Sequence, residues 1–204
     1  MVRSDIVTRV RDYIYEDVAD KFTDVKIQRF FLEELRSLPS KGIYLKSKYP
    51  TTFTKDVLTY ALPAGTSELE GIERNYGTVA SLYWDDFKGY EDYGGSIYLD
   101  ISSSDTYSVR LLLQKAFTEV TDDSTPLDIP DDKSEVLVWG IVVRCYKALI
   151  GYLKGNLSWD SVTAPRNVTI SSVQAWLRDA QQEQKNLIQQ YRTQSKPREI
   201  DLVS

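Results

Sequence analysis

From residue 134 to residue 153 the chain reads SEVLVWGIVVRCYKALIGYL, with apolar side chains on almost every face of the helix that this length and composition imply. Such a helix cannot stand alone in water, so the rest of the chain has to fold around it. Its longest unbroken apolar run, 136–143, ends at Arg144 and is far shorter than the ~20 residues needed to cross a bilayer. The expectation is a buried core helix and no membrane span. Pro126 and Pro130 in the polar stretch before it, and Gly155 after it, set its limits.

Three further helices are predicted around it. Over 5–19, Ile6, Val7, Val10, Ile14 and Val18 recur at three- and four-residue steps, with Ser4 and Asp5 placed to cap the start. A second helix begins at Thr23 or Asp24, turns Ile27, Phe30, Phe31, Leu35 and Leu38 inward, and must stop by Pro39. After a loop containing Trp159 and Pro165, Ser171 and Gln174 have capping-box spacing. They open a long helix with Val173, Trp176, Leu177, Ala180, Leu187 and Tyr191 on one stripe, ending near Gln194.

Between 43 and 120 the texture changes. β-Branched and aromatic residues alternate with polar ones between turn signals at Pro63-Ala64-Gly65, Lys88-Gly89 and Gly94-Gly95. This predicts antiparallel strands at 57–62, 69–76, 79–84, 96–101 and 107–120, the last able to be partly helical because Leu111, Leu112 and Leu113 fit either period. The predicted fold is α+β and mainly α. A four-helix bundle from 1–42 and 131–194 carries a β-rich insertion, 43–120, between helices two and three, and an extended tail, 195–204, closes the chain.

The chemistry open to the chain is narrow. Its 204 residues include no histidine, which removes the usual general base, the Ser-His and Cys-His pairs and the commonest zinc ligand. The single cysteine, Cys145, lies within the apolar run and reads as a small core side chain of a reducing compartment. No Walker pattern or GxGxxG turn precedes a helix, so no phosphate cradle is expected. Acid pairs remain at Asp85-Asp86, Glu91-Asp92, Asp122-Asp123 and Asp131-Asp132, and paired acids can hold Mg²⁺ or serve glycoside hydrolysis. Each falls in a predicted turn or at a helix start, where Asp bonds local backbone, and none has calcium-loop spacing. No catalytic residue, cofactor or metal is therefore expected. A carboxylate-based hydrolase on the β-rich middle, using exposed Trp84 and Tyr90, is the enzymatic alternative.

A net charge of -5 argues against tight wrapping of nucleic acid, and hence against a monomeric DNA-binding regulator. The N-terminus places acids among its apolar residues, unlike a signal peptide, so the sequons at Asn156 and Asn167 read as chance matches. Fourteen tyrosines in an aromatic content of 12% suit contact surfaces, since the ring is rigid and its hydroxyl can hydrogen-bond at the edge. Lys185, Arg192, Lys196 and Arg198 give the last helix and the tail a basic end, which suits a solvated helix C-terminus or a docking segment.

Several phrases, in this order, resemble the adaptor proteins of tailed-bacteriophage head-to-tail connectors, the head-completion subunits that attach beneath the portal. IVTRVRDYIYEDVADKFTDVKIQRFFLEELRSL is similar to that family's opening helix pair, with Phe22-Thr23-Asp24 as the capped turn. VLTYALPAGTSELEGIERNYG resembles its strand, Leu-Pro turn and strand, and LDIPDDKSEVLVWGIVVRCYKALIGYLKG resembles its Pro-containing loop and buried third helix. The strand-rich middle exceeds what the shortest members carry. The resemblance implies a structural virion protein, made in the host cytoplasm and placed in the neck between head and tail. It would assemble as a homo-oligomeric ring, a dodecamer matching the portal, and join the portal protein to a downstream connector or tail protein, while DNA passes through the lumen without specific binding. It also implies a portal-docking role for Lys196, Pro197, Arg198, Glu199, Ile200, Asp201, Leu202, Val203 and Ser204. A head-closure (stopper) or tail-completion ring protein is the alternative within the same class.

Overall fold

The computed structural model of the chain describes residues 1–77, 82–99, 106–155 and 168–194. The chain divides into two compact units, Met1–Ile43 with Phe117–Ser204, and Tyr44–Ala116.

The first unit is helical. Its elements are α1 (Arg3–Tyr13), α2 (Glu16–Ala19), α3 (Asp24–Ser37), a 3₁₀ turn (Pro39–Lys41), α4 (Asp131–Leu153) and α5 (Ile170–Gln194). Helix α4 carries the apolar run and sits centrally, touched by α1, α3 and α5. Val136, Leu137, Val138, Ile141, Val142, Cys145, Tyr146 and Leu149 are all buried. By length and composition 133–153 could cross a membrane, since an 18-residue window reaches a mean hydropathy of 1.6. That is more than the eight-residue run alone suggested. In the fold, 56% of that window is buried against neighbouring elements.

The predicted first helix is interrupted. Helix α1 stops at Tyr13, and Ile14 and Tyr15 are extended (ψ 133° and 135°) before the short α2. The break is stabilised from α4. The buried Tyr146 hydroxyl accepts from the Tyr15 N–H at 3.2 Å and donates to the Tyr13 carbonyl at 3.5 Å, satisfying groups that the interrupted ladder leaves free. Two ring stacks flank it, Tyr13 on Trp139 at 4.7 Å and Tyr15 on Trp176 at 4.4 Å. Arg11 then ties α1 to the start of α3, donating to the Phe22 carbonyl at 2.9 Å and pairing with Asp24 at 2.5 Å.

The caps also differ in detail from expectation. Asp5 acts from within α1, accepting from the Val2 N–H at 2.9 Å, rather than as the cap residue itself. Thr23 caps α3 as expected, its side chain accepting from Lys26. At α5 the reciprocal pair is Thr169 and Ser172, each side chain accepting from the other's backbone N–H at 3.2 and 3.1 Å, in place of Ser171 and Gln174.

The second unit contains two antiparallel sheets. β1 (Leu45–Phe53), β3 (Thr66–Asn75), β4 (Trp84–Asp86) and β7 (Tyr107–Lys115) form a four-stranded sheet in the order β1-β7-β3-β4. β2 (Thr59–Ala61), β5 (Tyr90–Tyr93) and β6 (Ser96–Leu99) form a three-stranded sheet in the order β2-β6-β5. Phe53, Leu69, Ile72, Val109, Leu111 and Leu113 from the first sheet share one apolar cluster with Ile97 and Leu99 from the second. The period-two pattern thus serves a core between the two sheets.

This corrects the expected fold class. Among the described residues 45% are helical and 26% lie in strands, so a mainly-α four-helix bundle is not the architecture. The β-rich stretch has its own core and two sheets, and it carries as much structural logic as the helices. Strands β1 and β5 were missed. The first is rich in Lys and Thr and holds Pro50, which an edge strand tolerates, and the second is the unpromising YEDY. Of the expected 107–120 strand, 107–115 forms, wholly as strand; of the expected 79–84 strand only Trp84 falls in a strand, β4, with 82 and 83 outside it, while 79–81 and 100–101 lie outside the described residues.

Candidate functional site

Three features could carry function: a buried polar knot in the helical unit, the paired acids, and the exposed surface of the β unit.

The knot centres on Glu34, which is only 2% exposed. Its Oε1 meets the Lys41 ammonium and accepts from Gln184 Nε2 at 2.8 Å, and its Oε2 accepts from Arg144 Nε at 2.8 Å. Arg144 also donates to the Glu33 carbonyl and pairs with the Glu33 carboxylate, both at 3.1 Å. Gln184 donates a second time, to the Val136 carbonyl at 3.3 Å. Burial works to raise the Glu34 pKa, but Lys41 and Arg144 outweigh it and hold the carboxyl below its ordinary range. Gly140 makes the space, because a Cβ there would overlap the Glu34 carboxylate and come within 2.5 Å of the Gln184 amide. From α3, the carboxylate meets donors of three other elements, Lys41 of the 3₁₀ turn and Gln184 of α5 at Oε1 and Arg144 of α4 at Oε2. Its chemical capacity is therefore to lock four elements together, and it offers no free acid or base. Sequence reasoning missed it, and the signal available was a glycine and an arginine inside an otherwise apolar helix.

The paired acids do not converge. Asp85 and Asp86 are consecutive on β4, so their side chains leave opposite faces of the sheet. Glu91 and Asp92 stand in the same relation on β5. Asp122 serves its own turn, accepting from the Ser124 hydroxyl and the backbone N–H groups of Ser124 and Thr125 at 2.6 to 2.9 Å. Those bonds depress its pKa. Asp123 pairs with Arg3 at 2.8 Å, and Asp131 lies 3.9 Å from the N-terminal amino group. Among the described residues no group of three His, Cys, Asp or Glu side chains could hold a metal ion. Trp84 and Tyr90, expected to be exposed, are both half-buried, Trp84 under the Arg110 guanidinium at 3.9 Å and Tyr90 against Phe87 at 6.3 Å. Cys145 is fully buried, and burial pushes its thiol pKa up, away from reactivity.

The four-stranded sheet balances its own charges. Lys46 pairs with Glu70 at 2.7 Å, Lys48 with Glu73 at 3.4 Å and Arg110 with Glu73 at 2.5 Å. These cations are thereby neutralised as a phosphate-binding row. Large apolar side chains in this unit lie open instead: Tyr76 at 55%, Leu82 and Tyr83 each at 61%, and Tyr93 at 80% exposure. A shallow depression of about 490 Å³ runs beside β5, lined by Leu69, Tyr90, Glu91, Asp92 and Tyr93.

The expected docking segment, Lys196 to Ser204, lies outside the described residues, as does the 156–167 loop with Trp159 and Pro165. Of the basic end, Lys185 is exposed on α5 and Arg192 donates to the Lys41 carbonyl at 2.8 Å beside Gly42. A scan against protein-family models gives no match to this chain, and a search of curated proteins gives none either.

Proposed function

We propose that this chain is a structural subunit of a tailed-phage neck, the adaptor that attaches to the portal after DNA packaging and links it to the tail or the next connector ring. Copies pack side by side into a closed ring, a dodecamer matching the portal, and DNA passes through the lumen without specific binding. The subunit works by burying surface and makes or breaks no bond.

The observation that carries this reading is the open apolar surface of the β unit. Tyr76, Leu82, Tyr83 and Tyr93 are each more than half exposed, and rigid tyrosines of this kind are enriched where proteins meet. A ring uses two different faces of each copy, so each subunit buries side chains at both of its neighbour contacts. The sequence phrases of the opening helix pair and the buried α4 support the same family, and the negative net charge suits a channel that should not hold DNA.

In this proposal residues 195–204 dock on the portal. Deleting them should abolish co-sedimentation with portal rings while leaving the circular dichroism and melting temperature of the subunit unchanged. Normal portal binding by the truncated chain would remove the docking role.

A further inference from the structure

Strand β5 (Tyr90–Tyr93) is an edge. Among the described residues it pairs with β6 and with no other strand. The turn that joins them, Gly94–Gly95, has two positive φ angles (61° and 80°), as a tight two-residue hairpin requires. That turn fixes which backbone groups are free. Tyr93 and Ser96 exchange hydrogen bonds next to the turn, so Asp92, opposite Ile97, turns its N–H and C=O outward, and Tyr90 does the same two residues back. The depression lined by Leu69 and 90–93 lies along this strand. Period two gives each face of β5 one tyrosine and one carboxylate, Tyr90 with Asp92 and Glu91 with Tyr93.

Charge decides what can pair there. A second β5 laid antiparallel would set carboxylates against carboxylates. The edge strand β1 of another copy is a poor partner too, because Pro50 interrupts its donors and its Lys46 and Lys48 are already engaged with Glu70 and Glu73. We propose that β5 and the depression beside it form a docking groove for an extended strand of a different protein that carries Lys or Arg at alternate positions. Such a strand takes main-chain hydrogen bonds from Tyr90 and Asp92 and extends the sheet to a fourth strand. On the face they occupy its cations lie against one carboxylate and one tyrosine ring, and their aliphatic stems run along the depression. This rests on reading the chain as an assembly subunit, and names the chemistry of one partner.

The test uses the full chain and a fluorescein-labelled peptide, TKVKVKVT, titrated by fluorescence anisotropy at about 0.15 M salt. Saturable binding is expected. It should weaken by about tenfold or more in the Glu91→Gln/Asp92→Asn double variant, whose exposed, near-isosteric changes spare the fold. It should weaken comparably when alternate peptide nitrogens are methylated, a change that leaves the charge and this protein untouched. Equal affinity in all three titrations would mean diffuse charge attraction and overturn the groove. Equally tight binding of a peptide of residues 193–204 (TQSKPREIDLVS) would make the occupant a second copy and overturn the proposal of a different partner. Failure to bind portal would sink the connector reading and leave this result standing, whereas a ring that forms on portal without taking the peptide would do the reverse.

Discussion

Gly140→Ala places one methyl group where the Glu34 carboxylate and the Gln184 amide now sit, and neither can retreat without abandoning a buried charge contact. We expect it to lower stability by about 2–4 kcal/mol in urea denaturation, a surface-like loss of a few tenths being the contrary result. Glu34 itself gives a pH signature. Its folded pKa is below the ordinary 4.5, so its contribution is complete above that value and is lost as pH falls through the folded one. Tyr146 acts at the other end of the scale. Burial pushes its pKa up to about 12 from an ordinary 10.0, so the folded state prefers the neutral phenol, and that preference is complete below pH 10.0 and lost as pH rises toward 12. Tyr146→Phe should cost about 1–2 kcal/mol at neutral pH by releasing the Tyr13 and Tyr15 backbone groups. In alkaline melts the same variant should lose stability less steeply than the parent between pH 10 and 12. Little of this was legible beforehand. The apolar character of α4 was plain in the sequence, but which of its few polar residues meet Glu34 depends on contacts 110 and 150 residues apart along the chain.

At the scale of elements, the long helices were readable because their apolar stripes are strong and their stops are chemical. Pro39 ends α3 in a 3₁₀ turn, and Gly155, with φ 73°, follows α4. The break at Ile14 was not readable, since Ile14 and Val18 keep the helical spacing across it and the reason for stopping lies in the Tyr146 hydroxyl. Caps were located to within a few residues, because Thr169, Ser171 and Ser172 all suit the role and backbone geometry chooses among them. Thr169→Ala should lower the stability of the helical unit by about 1 kcal/mol, whereas Ser171→Ala should change it by a few tenths, with thermal melts separating the two. Strand β5 shows the opposite limit. YEDY has no apolar alternation to betray it, and its pairing is imposed by the Gly94–Gly95 turn and by Ile97 and Leu99 across the ladder.

For the whole molecule, the expectation of a mainly-α bundle gave too little weight to the middle of the chain. Phe53, Ile72, Leu111 and Ile97 build a second core there, and a stretch of that kind is a structural unit rather than an elaborated loop. What the two units expose then matters more than what either encloses, because the acid pairs diverge and the buried polar groups are spent on packing. The proposed assembly would cover the open tyrosines, and it can be weighed directly. Purified chain mixed with portal rings should give a complex whose native mass adds one closed ring of subunits, twelve for a twelve-fold portal, and whose averaged images carry the portal's rotational symmetry. A chain that stays monomeric beside unaltered portal rings would contradict the account.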